Sequence, residues 1–193
     1  MNWNIVINPF KTIADKILLL LGIVSFIIGC YLSYRFEMIY DGIFDAHEFP
    51  DILFSQAFTA NTINVIVICL IFFAFGKIIN PKTRMIDIMN TAFISRIPIY
   101  ITVPLAEIPL VKSVMLKILD NMKDIQHLNL PTFDVLVLLI FSSVVILLLA
   151  YSITLMVNGF RTATNVKKLQ HYLIFSVLII AAEVLSKWII SLI

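Results

Sequence analysis

The sequence predicts an all-α fold, a polytopic membrane helix bundle of about five transmembrane helices. Three observations carry this. Hydrophobic residues make up 61% of the 193 and charged residues only 13%, about half the charged share of a soluble domain. So little polar surface cannot cover a water-soluble globule of this size. Five runs come close to the roughly 20 apolar residues that cross about 30 Å of hydrocarbon at 1.5 Å per residue. Within them apolarity is continuous, as in Val135-Leu136-Val137-Leu138-Leu139-Ile140, whereas a transmembrane barrel needs strictly alternating strands of about ten residues.

Residues 1–16 predict a cytoplasmic amphipathic lead-in. Asn8 can cap a helix with Pro9 at its first position. Phe10, Ile13, Ala14 and Ile17 then share one apolar face, and Trp3 suits the headgroup zone. Trp3, Pro9 and Phe10 are thus the expected interfacial entry. Residues 17–193 follow as a single transmembrane domain.

The first span, 17–34, is uncharged between Lys16 and Arg35. Its Ile27-Ile28-Gly29-Cys30 resembles a loose lipoprotein cleavage box. The run stays apolar past Cys30 and four spans follow, so an ordinary first helix is expected. The second span, 53–75, is strongly apolar from Ile63 onward, while its first half carries Ser55, Gln56, Thr59, Asn61 and Asn64. The third, 86–111, is the weakest. It contains Asp87, Arg96 and Glu107 and three helix-breaking prolines, Pro98, Pro104 and Pro109. A kinked or partly re-entrant segment is expected there. The fourth, 135–157, has no charge, and the fifth, 172–193, carries Glu183 and Lys187.

Lys and Arg in the short loops set the orientation. Eight lie on the side of the N-terminus and four on the other, which favours a cytoplasmic N-terminus. The first loop is rich in acid, with Glu37, Asp41, Asp45, Glu48 and Asp51. In the third loop Val111, Val114, Met115, Ile118, Met122 and Ile125 recur at helical spacing. This fits either a helix lying on the outer surface or a connector packed on the bundle.

Two ionisable residues fall at membrane depth, where each costs roughly 2.5–3.5 kcal/mol to insert. Arg96 and Glu183 both lie roughly 15–18 Å from the cytoplasmic end of their segments. They are expected to face the bundle interior and approach each other as an intramembrane polar pair. Lys187 is an alternative i,i+4 partner for Glu183 and can snorkel outward.

Nothing recommends an enzyme. There is no HExxH, GxSxG, GxxxxGK[ST] or GxGxxG. His47, His127 and His171 lie in three different loops, so no metal site and no cofactor is expected. Cys30 and Cys69 lie inside apolar runs and read as small packing residues. The net charge of +2 gives no reason to expect nucleic acid. The expected surroundings are the lipid bilayer and, by self-association or otherwise, other membrane proteins.

Three stretches resemble the Yip-domain family of polytopic membrane proteins. The entry Trp3-Asn4-Ile5-Val6-Ile7-Asn8-Pro9-Phe10-Lys11-Thr12 is similar to that family's apolar, N-P-containing lead into the first of about five helices. Asn90-Thr91-Ala92-Phe93-Ile94-Ser95-Arg96-Ile97-Pro98 resembles its third segment, and Asn158-Gly159-Phe160-Arg161 the end of its fourth. The resemblance implies five helices, a cytoplasmic N-terminus and a non-enzymatic scaffold or adaptor role. Eukaryotic members associate with Rab-type GTPases through a long N-terminal region. Only about 16 residues precede the first span here, which weighs against small-GTPase binding and for a bacterial-type member in a cytoplasmic cell membrane. The alternative function is a small transporter or channel subunit using Arg96 and Glu183.

Overall fold

A computed structural model describes residues 3–121 and 130–192. The side chain of Trp3, and Met122, Ile125 and His127, lie outside the described residues. The chain is a multi-pass membrane protein: among the described residues five helical segments are long and apolar enough to span a bilayer. They are α2 (Asp15–Arg35), α3 (Phe54–Ile79), the consecutive pair α4 (Met85–Ser95) and α5 (Ile97–Ala106), α7 (Thr132–Thr164) and α8 (Leu169–Ile190). A one-turn α1 (Trp3–Ile7) precedes them, and α6 (Pro109–Asn121) lies between α5 and α7.

The helices mostly outrun the spans expected from apolarity. α3 continues four residues past Phe75, through Lys77, and α7 continues past Val157 to Thr164, where Asn165 closes it in the left-handed conformation. At 33 residues, α7 is about 50 Å long, well beyond the hydrocarbon thickness. Hydropathy marks where lipid ends, whereas a helix stops where its backbone finds a cap.

The third span is the centre of the bundle. α4 packs on α2, α3 and α7, α5 packs on α2 and α7, and α8 covers α3. This explains its weak signal. Its mean hydropathy is 1.2 and 61% of its most apolar window is buried, against 2.8 and 11% for α7. A helix shielded from lipid by its neighbours has less need to be apolar. Close approach of α4 and α7 depends on Gly159, where an added Cβ would come within 2.4 Å of Thr91 Oγ1. Further along, Phe160 stacks on Phe175 at 4.1 Å between ring centroids and meets Phe72 edge-on, joining α7, α8 and α3 around an aromatic core.

The third span, expected over 86–111 as a kinked or partly re-entrant segment, is interrupted and ends before Val111. The chain breaks at Arg96 and leaves the span at Ala106. Pro98 falls in the first turn of α5, where its missing N–H leaves no ladder bond unmade. Pro104, inside α5, cannot donate to the Tyr100 carbonyl four residues back. The Tyr40 hydroxyl takes that carbonyl instead, at 3.4 Å. Pro109 opens α6.

Two interfacial expectations also change. Asn8 makes no capping bond, and Pro9–Lys11 is a single 3-10 turn separate from α2. The lead-in is therefore not one amphipathic helix. α1 lies along α7, its Val6 and Ile7 carbonyls accepting from Tyr151 Oη at 2.8 Å and Asn158 Nδ2 at 2.9 Å. Pro9 is buried and Phe10 packs near Leu18. In α6, Val111 and Val114 bury against Val137 of α7, while Leu116 and Leu119 stay exposed. The helix is therefore both packed on the bundle and apolar on its open side. At its start Glu107 accepts from Lys112 at 2.7 Å and holds that ammonium above its usual range.

Candidate functional site

The loop joining α2 to α3 enters the bundle. Its composition suggests a solvated acidic loop, and Asp45, Glu48 and Asp51 are indeed exposed. Ile39, Tyr40, Gly42 and Ile43, however, are buried. A two-residue antiparallel ladder pairs β1 (Met38–Ile39) with β2 (His47–Glu48) and closes the neck of the loop. Residues 40–46 form the tip. Glu37 and Asp51 adopt positive φ, 53° and 58°, at the two ends of the excursion.

Irregular backbone at membrane depth is tolerated only where every polar group finds a partner. Side chains from every spanning segment but α7 supply those partners. Ser33 of α2 donates to the Met38 carbonyl. Asn64 of α3 donates to the Tyr40 carbonyl at 2.7 Å and accepts from Ser186 of α8. The rest of the tip is held by Arg96 and Glu183.

Arg96 sits at the α4–α5 break, about 16 Å from the start of the span, and is 0% exposed. Its Nη1 donates to the carbonyls of Ile43 at 2.9 Å and Gly42 at 3.4 Å. Nη2 donates to Asn61 Oδ1 at 3.2 Å and Nε to the Tyr100 hydroxyl at 3.2 Å. The Tyr40 and Tyr100 rings lie 5.7 and 5.3 Å from the guanidinium carbon, within cation–π range. Four of the five guanidinium N–H groups thus have acceptors.

Glu183 lies about 10 Å inside the end of α8. Its Oε2 accepts the N–H of Ile43 at 2.6 Å and of Phe44 at 3.1 Å. Consecutive N–H groups converging on one anion form a nest. Oε1 lies 3.7 Å from Lys187 Nζ, which also binds Asp45 at 2.6 Å. The alternative i,i+4 partner is therefore present as well, nearer the end of α8.

Arg96 and Glu183 face the interior, as expected from their depth, but no direct ion pair joins them among the described residues. They meet through the loop. The peptide unit between Gly42 and Ile43 offers its oxygen to Arg96 and its N–H to Glu183, and the unit between Ile43 and Phe44 does the same. Two peptide dipoles, each about 3.5 D, lie in parallel between cation and anion, negative ends on the guanidinium. A direct pair would need two desolvated charges to compensate only each other. Here each charge instead solvates backbone that would otherwise be buried without partners.

Gly42 makes the arrangement possible. An added Cβ there would come 2.2 Å from Glu183 Oε1 and 2.8 Å from its Cδ. Asn61 and Asn64, from the polar first half of the second span, are the α3 side of the clamp. The loop itself was the feature missed by reading the acids alone. The apolar residues Ile39, Tyr40, Ile43 and Phe44 around a glycine were its available signal.

Ser152 of α7 donates to the Ser95 carbonyl at the helix break, at 2.6 Å. At the opposite end of the bundle, Arg84 bridges Asp87 and Asp15 at 2.6 and 2.7 Å, and these bonds raise its pKa above the usual arginine range. Cys30 and Cys69 are buried and free. Among the described residues no three His, Cys, Asp or Glu side chains converge as a metal site. No family model, curated protein or solved structure matches the chain.

Proposed function

We propose that this protein is a non-enzymatic membrane scaffold or adaptor of Yip-like type, seated in a cytoplasmic membrane with its N-terminus on the cytoplasmic side. The supporting observation is that its two deepest charges are both committed to the backbone of one inserted loop. A transport pathway needs a charged or polar group that can exchange its partner for a substrate or ion. Arg96 has given its fork to two carbonyls, an amide and a phenol, and Glu183 fills its nest. The clamp makes a rigid, closed outer half, which suits a protein that presents surfaces. The excess of Lys and Arg in the loops on the N-terminal side supports the orientation.

The competing reading is a small transporter or channel subunit using Arg96 and Glu183, and the part-exposed contacts of Glu183 with Lys187 and of Lys187 with Asp45 favour it. Reconstitution in proteoliposomes separates the two. The expected result is no flux of protons, sodium, potassium or chloride above protein-free vesicles, together with recovery of a stoichiometric membrane partner or second copy after cross-linking in native membrane. Flux lost in Arg96→Lys, or a chain that cross-links to nothing, would refute the scaffold reading.

A further inference from the structure

We propose that the cleft between α2, α3 and α4 holds an acyl chain of one anionic phospholipid, with its phosphate at Lys77 and Lys82. The cleft has a volume of about 340 Å³, within the range of small-molecule sites. Phe26, Phe58, Val65, Cys69, Met89 and Phe93 are among its lining residues. Its floor is preformed, because Phe26 of α2 is wedged edge-on between Phe58 at 5.5 Å and Phe93 at 5.7 Å. The polar lining residue Thr62 donates its hydroxyl to the Phe58 carbonyl at 2.7 Å, so it asks for no polar ligand. From Phe58 to Leu70 the α3 wall runs about 18 Å, with Leu70 about 10 Å along the helix from Lys77. A chain-shaped apolar occupant fits, and the bilayer supplies it.

Charge at one end selects the class of lipid. Met85, which lines the cleft, is the first residue of α4 and follows Lys82 by three positions, no more than about 11 Å of chain. In the connecting loop Arg84 is neutralised by Asp15 and Asp87. Among the described residues Lys77 Nζ donates only to the Pro81 carbonyl, at 2.8 Å, and it rests 5.3 Å from the Phe73 ring. Lys82 is exposed. No carboxylate forms an ion pair with Lys77 or Lys82 among the described residues. Two ammonium groups without a carboxylate partner among the described residues, in and against the loop that leads into Met85, favour a phosphate carrying net negative charge over a zwitterionic headgroup.

Ile66, on the rim and 49% exposed, gives a reporter position. In the full chain with Trp3 and Trp188 changed to Phe, Ile66→Trp is reconstituted in phosphatidylcholine vesicles containing brominated phosphatidylglycerol or brominated phosphatidylcholine, and tryptophan quenching is measured. Ile180→Trp on the open face of α8 serves as the control. The expected result is preferential quenching by phosphatidylglycerol at position 66 only, reduced roughly fivefold for each of Lys77→Gln and Lys82→Gln. Equal quenching by the two lipids at position 66 would overturn the proposal. So would quenching by neither lipid there while the control is quenched, because a protein segment, such as a second copy, would then cover the cleft.

Discussion

Arg96→Leu is expected to destabilise the protein by about 3–5 kcal/mol, the range for removing one partner from a buried charged network. The leucine leaves the Gly42 and Ile43 carbonyls, Asn61 Oδ1 and the Tyr100 hydroxyl without their donor. It also leaves Glu183 facing two peptide dipoles with no cation behind them. Denaturant unfolding in mixed micelles, followed by helical circular dichroism, measures the loss. Arg96→Lys keeps the charge but offers one ammonium in place of a planar fork, so it should recover only part of it. A lysine variant as stable as the parent would mean that charge alone matters at this position.

Gly42→Ala carries the second large effect, about 1–3 kcal/mol for overpacking a filled site. The clash is with Glu183 Oε1 and Cδ. That carboxylate cannot swing aside freely, because it holds two N–H groups and lies against Lys187. The two sites should therefore couple. In a background that already carries Glu183→Leu, the alanine should add much less than it does in the parent, as unfolding of the four proteins of the cycle will read. Strict additivity would place the cost of the alanine in the loop backbone instead of in the clamp.

Much of this was legible in the sequence, for identifiable reasons. Lipid-facing helices announce themselves by composition, and α2, α3, α7 and α8 were read in the right order with ends off by one to seven residues. The largest of these errors fell at Thr164, because α7 outruns the hydrocarbon. The third span was doubtful for the same reason that it is central: burial against protein relaxes the demand for apolar residues. Arg96 and Glu183 stood out because charge at depth needs a partner, and their depths matched. Their true partner was not legible. It is a loop whose Glu37, Asp45, Glu48 and Asp51 are exposed while Ile39, Tyr40 and Ile43 are buried, and that separation appears only when the β1–β2 neck fixes which residues form the tip. The N-terminal lead-in failed for a local reason. Asn8 and Pro9 have the composition of a helix start, yet the chain turns once at Pro9–Lys11 and begins afresh at Asp15.

The charge-swapped protein Arg96→Glu/Glu183→Arg tests the clamp most directly. A direct ion pair is nearly indifferent to which side carries which sign, so exchanging the charges would restore stability relative to either single variant. Peptide units have a direction. After the swap a carboxylate would face the Gly42 and Ile43 carbonyls, and a guanidinium would face the Ile43 and Phe44 N–H groups. The expected result is a double variant no more stable than the worse of the two singles. Recovery above both singles would show that Arg96 and Glu183 act on each other and not through the loop.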